Sequence, residues 1–258
     1  MKYIIANWKM NLGIRESVAL ARGTLHALQG KEKVPEVVVC PSFTALAEVR
    51  KTLSRTRMFL GAQNVGPGRA GAFTGEVGVS QLEDIGCTFA IVGHSERRSL
   101  GETDSTIGKK LAGLYETGNI TPILCVGESK DVRDAGEAEK FVKKELKDAL
   151  SGLKIGRRRK LLIAYEPLWA IGTGKPASVL EIVPMQEMIR KVVTDITGVD
   201  GADLAVLYGG SVDTENAYGF LREPSIDGLL VGGASLKIHD IHAIIESACE
   251  VMTAQESL

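Results

Sequence analysis

Several residues able to do chemistry stand directly after short apolar runs. Glu166 follows Leu161-Leu162-Ile163-Ala164-Tyr165 and precedes Pro167. The apolar run reads as a buried parallel strand, and the proline stiffens the turn that ends it. After the proline come Leu168-Trp169-Ala170-Ile171 and the small set Gly172-Thr173-Gly174-Lys175. An acid at a strand end, beneath a segment able to close over it, meets the requirement for a water-excluded general base. Asn7 and Lys9 follow the run Tyr3–Ala6, and strand alternation predicts that both point the same way. An amide donor beside a fixed cation suits an anionic substrate oxygen. His94 follows Gly93 after the run Phe89–Val92. An imidazole at a helix start is expected to be neutral and able to donate to a carbonyl oxygen. Glu96 is within reach of the Lys9 ammonium, with a local ion pair to Arg97 as the structural alternative. Gly209-Gly210-Ser211 and Gly232-Gly233 close two later runs. Such loops expose backbone N–H groups to a phosphate, which a Cβ would keep away.

Each of these has a plainer explanation when taken singly. A strand-end glutamate or lysine is most often solvated, a lone histidine is most often a satisfied core group, and paired glycines often make only a tight turn. Their common position is what sets them apart. Eight candidate strands recur: Tyr3–Ala6, Val37–Cys40, Met58–Ala62, Phe89–Val92, Pro122–Val126, Leu161–Tyr165, Leu204–Tyr208 and Gly228–Val231. Helix-like pattern lies between them at Ser17–Gln29, Thr44–Leu53, Asp104–Thr117, Gly136–Leu150, Ser178–Thr197, Thr214–Leu221 and, after the last strand, His239–Cys249. Asp104 and Thr214 suit N-caps, and Gly30 and Gly118 suit helix stops. Repeated strand–helix alternation predicts a single-domain (β/α)8 barrel over residues 1–258, with a closed parallel sheet and an outer ring of helices. An open doubly wound sheet is the alternative, but no GxGxxG opens the first helix. In such barrels the C-terminal rim carries the chemistry, so all these residues converge on one site.

The chain has 258 residues, 44% of them hydrophobic, and a net charge of -1. It can bury a full core, and its charge balance gives no reason to expect nucleic acid or a membrane surface as a partner. Its apolar runs are much shorter than a membrane span, and residues 1–10 lack a signal-peptide pattern. Cys40, Cys87, Cys125 and Cys249 are widely spaced, with no metal-ligand spacing between them. They read as reduced thiols of a cytoplasmic protein. The run Arg157-Arg158-Arg159-Lys160 reads as a solvated turn at the N-terminal rim.

The stretches Ala6–Asn11, Gly71–Glu76, Val92–Arg98, Pro122–Glu128, Ala164–Lys175, Tyr208–Val212 and Val231–Leu236 together closely resemble the triosephosphate isomerase family over nearly the whole chain. The resemblance implies a TIM barrel enzyme of glycolysis and gluconeogenesis that works as a homodimer without a cofactor or metal. Its substrates are dihydroxyacetone phosphate and glyceraldehyde 3-phosphate. Carried over by position, Glu166 is the base, His94 the electrophile and proton shuttle, and Lys9 and Asn7 stabilise the enediolate, with Glu96 beside Lys9. Gly172, Ser211, Gly232 and Gly233 hold the phosphate, and Pro167 to Pro176 form the closing loop. By the same resemblance the loop Asn64–Gly78 enters the second subunit, where Thr74 meets Asn7 and Glu96 of the partner and the large apolar Phe73 is covered.

The chain departs from the family's usual pattern in four places. Pro176 stands at the far end of the closing loop, where a non-proline is common, and is expected to reduce the backbone freedom of that hinge. Pro184 falls inside a helix and predicts a kink or a late start. Gly78 replaces a capping serine and predicts a weaker cap, and Gly136-Glu137-Ala138 replaces the usual Gly-Lys-Thr. Two rivals are weighed against the isomerase. A Schiff-base aldolase needs a lysine where Glu166 stands. A non-catalytic phosphate binder would need only the glycine loops.

Overall fold

The computed structural model describes residues 1–156, 159–171 and 177–255. Eight parallel strands close on themselves in sequence order. They are β1 (Tyr3–Asn7), β2 (Glu36–Cys40), β3 (Met58–Ala62), β4 (Phe89–Val92), β5 (Thr121–Val126), β6 (Leu161–Tyr165), β7 (Leu204–Tyr208) and β8 (Gly228–Val231). The ring is completed where Tyr3 pairs with Gly228 and Ala6 with Val231. The helices on its outside are α1 (Ile14–His26), α2 (Leu46–Leu53), α3 (Val79–Ile85), α4 (Ser95–Ser99), α5 (Asp104–Thr117), α6 (Lys130–Asp134), α7 (Ala138–Leu150), α8 (Val179–Thr197), α9 (Ala217–Leu221) and α10 (Ile238–Ala254).

The two-residue period of the strands divides the apolar residues into two cores. Side chains such as Ile4, Val39, Leu124, Ile163 and Val206 face the helices. Their neighbours Ile5, Val38, Ile91, Ile123, Leu162 and Leu207 fill the barrel. Carried past the strand ends, the inward series Tyr3–Ile5 leads to Asn7, and Leu162–Ala164 leads to Glu166. The strand period therefore aims both groups at the barrel mouth. At the opposite mouth, Lys160 Nζ donates to Tyr3 Oη (3.1 Å) and Glu36 Oε1 (3.2 Å). Arg159 donates to the Gly118 carbonyl. These two residues of the basic run tie down the N-terminal rim and are not simply solvated. Arg157 and Arg158 lie outside the described residues.

Local chemistry moved several helix ends. Thr103, not Asp104, caps α5, accepting the Thr106 N–H at 3.3 Å. Thr214 does not cap α9. Asp213 instead takes the N–H groups of Glu215 and Asn216, both at 2.9 Å, and delays the helix to Ala217. Gly118 ends α5 in the left-handed conformation, whereas α1 stops at His26, before Gly30. Gly78 has no capping oxygen, but its N–H reaches the Gln81 side chain at 2.8 Å, so α3 keeps half of a capping box. α8 starts at Val179 and runs unbroken through Pro184, so the start is not late. The acceptor left without a donor there is the Leu180 carbonyl, on a residue that is largely exposed and open to water.

One packing contact restricts a residue type. A Cβ on Gly127 would lie 1.8 Å from the Glu166 carbonyl oxygen. The backbones after β5 and β6 touch at this point, and only glycine fits. Gly127→Ala is expected to cost roughly 3 kcal/mol or more. Gly219→Ala, inside α9 with nothing within 4 Å of the added methyl, is expected to add about 0.5–1 kcal/mol. Urea unfolding of both variants checks the pair of expectations.

Candidate active site

Asn7, Lys9, His94, Glu166, Ser211, Gly232 and Gly233 line one cavity of about 290 Å³ at the C-terminal mouth of the barrel, together with Ile171, Gly209 and Gly210. Of the groups read from the sequence for this site, Glu96 stands outside the cavity, paired with Lys9, and Gly172 lies outside the described residues along with Thr173, Gly174, Lys175 and Pro176. Of the proposed closing loop, Pro167, Leu168, Trp169, Ala170 and Ile171 are described.

Lys9 does not arrive by strand alternation. β1 ends at Asn7, and Lys9 adopts a left-handed backbone (φ 51°), uncommon for a residue with a side chain. Two contacts hold it there. The Lys9 N–H donates to Asn7 Oδ1 at 3.1 Å, and its carbonyl accepts from Gln63 Nε2 at 2.8 Å. Its ammonium pairs with Glu96 Oε1 at 2.7 Å, as read from the sequence. Arg97 pairs with Glu102 at 3.0 Å, not with Glu96.

His94 enters the site because Gly93 turns through a left-handed backbone (φ 72°) after β4. The histidine then caps α4, its Nδ1 accepting the Glu96 N–H at 3.2 Å. A nitrogen that accepts carries no proton, so the ring proton lies on Nε2. Nε2 sits 3.1 Å from Glu166 Oε1.

Glu166 is almost fully buried. Its Oε2 accepts the Ser95 N–H at 2.9 Å, and Oε1 lies 3.4 Å from Ser95 Oγ. Burial pushes its carboxyl above the ordinary value, while His94, the Ser95 N–H, Lys9 and Cys125 pull the other way. Burial prevails, which favours proton uptake as a base requires.

Sequence reasoning missed what supports these groups. Glu128 is fully buried and receives Tyr165 Oη at 3.0 Å and Trp169 Nε1 at 2.7 Å. The Arg133 guanidinium lies over the Trp169 ring, 4.1 Å from its centroid. Ser211 Oγ donates to the Ala170 carbonyl at 2.5 Å, so this hydroxyl holds the segment after Glu166. The position of Glu128 at the end of β5 was a signal available in the sequence, but its partners, tens of residues away, were not.

The family model for Triosephosphate isomerase matches residues 2–248. The chain belongs to the triosephosphate isomerase family. It is 44% identical over 247 residues to a curated triosephosphate isomerase of Rhodopirellula baltica, covering 95% of this chain and 96% of that one. It is 46% identical over 244 residues to that of Roseiflexus sp. strain RS-1, covering 94% and 95%. It is 42% identical over 247 residues to that of Aquifex aeolicus, covering 95% and 99%. As a member of the triosephosphate isomerase family, the chain is an isomerase acting on a triose phosphate.

The hydrogen bonding of His94 makes a spectroscopic prediction. At pH 7, nitrogen-15 shifts should show a protonated Nε2 and a bare Nδ1. A protonated Nδ1 would contradict the Glu96 N–H contact.

Proposed function

We propose that Glu166 is the general base of the isomerisation and that His94, Lys9 and Asn7 manage the charge it creates. The observation that carries this reading is the single cavity shared by the carboxylate, the imidazole, the ammonium and both glycine-rich turns. Glu166 removes a proton from the carbon beside the carbonyl and returns it to the neighbouring carbon. The electron pair moves to the carbonyl oxygen, giving an enediolate. His94 Nε2–H donates to that oxygen and passes a proton between the two oxygens. Lys9 offsets the negative charge, and Asn7 and Glu96 hold Lys9 in place. The Gly209–Ser211 and Gly232–Gly233 turns receive the phosphate, with Gly172 completing that set. One carbon is oxidised as its neighbour is reduced within the substrate, so the reaction calls for no external oxidant or reductant. Residues Pro167 to Pro176 close over the substrate and keep water from the enediolate.

The enzyme works as a homodimer in the cytoplasm in this reading. The four widely spaced cysteines, all buried and free, support the compartment. The dimer is supported by apolar side chains exposed on the same side as the site. Phe73 is 49% exposed at the tip of the Asn64–Gly78 loop and Leu100 is 84% exposed, and the two line one groove. Met10, beside Lys9, is 96% exposed. A soluble monomer rarely leaves such groups together in water.

A coupled assay with either triose phosphate tests the activity. Glu166→Gln should lower turnover by roughly 10³-fold or more while the protein still binds a phosphate-bearing inhibitor. Near-normal turnover would remove Glu166 from the base role. Thr74→Arg brings a cation toward the partner's catalytic groups and should yield a monomer of severely reduced activity. Light scattering reads the assembly state, and an active dimer would show that the loop serves another purpose.

A further inference from the structure

A second buried carboxylate stands behind Glu166. Glu145, on α7, is only 6% exposed. Glu145 and Glu166 line one cavity of about 510 Å³ between α4, the end of β5 and α7. Among the described residues this cavity and the one holding Lys9 and His94 share only Glu166, which stands between them.

Glu145 is fixed on both oxygens. Oε2 accepts the Gly127 N–H at 2.9 Å, and Oε1 lies 3.1 Å from Arg98 Nη1. Gly127 is the residue pressed against the Glu166 carbonyl. Arg98 also donates to the Gly93 carbonyl at 2.9 Å and the Cys125 carbonyl at 3.2 Å. The Arg98–Glu145 pair therefore gathers the ends of β4 and β5 around Glu166.

We propose that Glu145 is a positioning residue for Glu166: it holds the Gly127 turn against the Glu166 backbone, and its charge across the shared cavity sets how readily Glu166 takes up a proton. The proposal rests on the reading of Glu166 as the base. The charged groups facing Glu145 are Arg98 from α4, Asp104 from α5 and Glu166 from the end of β6. Lys144 and Glu102 also line the cavity. They are engaged elsewhere, Lys144 with Asp148 and Glu102 with Arg97 and Lys110. Burial pushes the Glu145 carboxyl up to about 7, against the pull of Arg98 and the Gly127 N–H. Glu166 raises the Glu145 carboxyl, and by the same repulsion a charged Glu145 across the shared cavity opposes ionisation of Glu166.

Glu145→Gln keeps an oxygen for the Gly127 N–H and removes the charge. Arg98 is then less compensated, so Glu166 should ionise at lower pH. The acid limb of kcat/KM should move down by roughly half to one pH unit. Glu145→Leu also removes the acceptor and should lower kcat about tenfold, with less change in KM. Carbon-13 titration of the glutamate carboxyls in the full chain reads the coupling without relying on turnover. In the wild type the Glu166 signal should bend at the Glu145 midpoint. In Glu145→Gln it should follow a single curve at lower pH. Superimposable Glu166 titrations in the two proteins would overturn the proposal. A Glu166 curve without the bend would do so from the wild type alone, should the Gln variant not fold. A wild type inactive on triose phosphates would instead refute the reading of the base, and the carboxyl titration would still decide the coupling.

Discussion

The site depends on keeping an ionisable carboxylate out of water without leaving it unpaired. Burying a charge without partners costs several kcal/mol, and a carboxyl in that position simply keeps its proton. Glu166 receives the Ser95 N–H and faces the proton-bearing nitrogen of His94. The donors arrive because β4 turns sharply at Gly93 and sends the first turn of α4 toward the end of β6. They lower the cost of ionising Glu166 without cancelling its burial, so its carboxyl stays above the ordinary value. The backbone contact at Gly127 follows from the same placement, since β5 and β6 must converge for Glu166 to sit at the mouth.

Around that carboxylate the rim is built from further buried polar groups, each with partners. Glu128 gathers Tyr165 and Trp169, and Glu145 gathers Gly127 and Arg98. Lys110, nearly fully buried behind the Asn64–Gly78 loop, meets Glu102 and Asn64. These networks fix loops that carry few apolar side chains of their own, which hydrophobic packing alone could not orient. The other mouth is simpler. There Lys160 bridges Tyr3 and Glu36 over a packed interior.

Much of this was legible in the sequence. Every strand was found to within one residue at either end, because a buried parallel strand is a short continuous apolar run bounded by turn residues. Alternation was expected to point Asn7 and Lys9 together; it carries Asn7 to the mouth, but β1 ends there and Lys9 arrives through a left-handed backbone instead. Helix ends were less legible. Thr103 displaced Asp104, and Asp213 displaced Thr214, because several side chains compete for the same few N–H groups and small differences in geometry decide between them. α4 and α6 are five residues each, too short to show a period.

The sequence by itself determined the barrel, the rim at which the polar groups gather and the residue types found there, because these follow from periodicity and from contiguous motifs. Tertiary structure alone decided that Lys9 reaches the site through a left-handed backbone held by Asn7 and Gln63, and that His94 bears its proton on Nε2. It alone paired Ser95 with Glu166, 71 residues apart, and set Glu145 behind them. The physical reason is that a proton's location and a carboxylate's basicity depend on donors and burial that exist only after the eight strands have closed and brought distant turns within hydrogen-bonding distance.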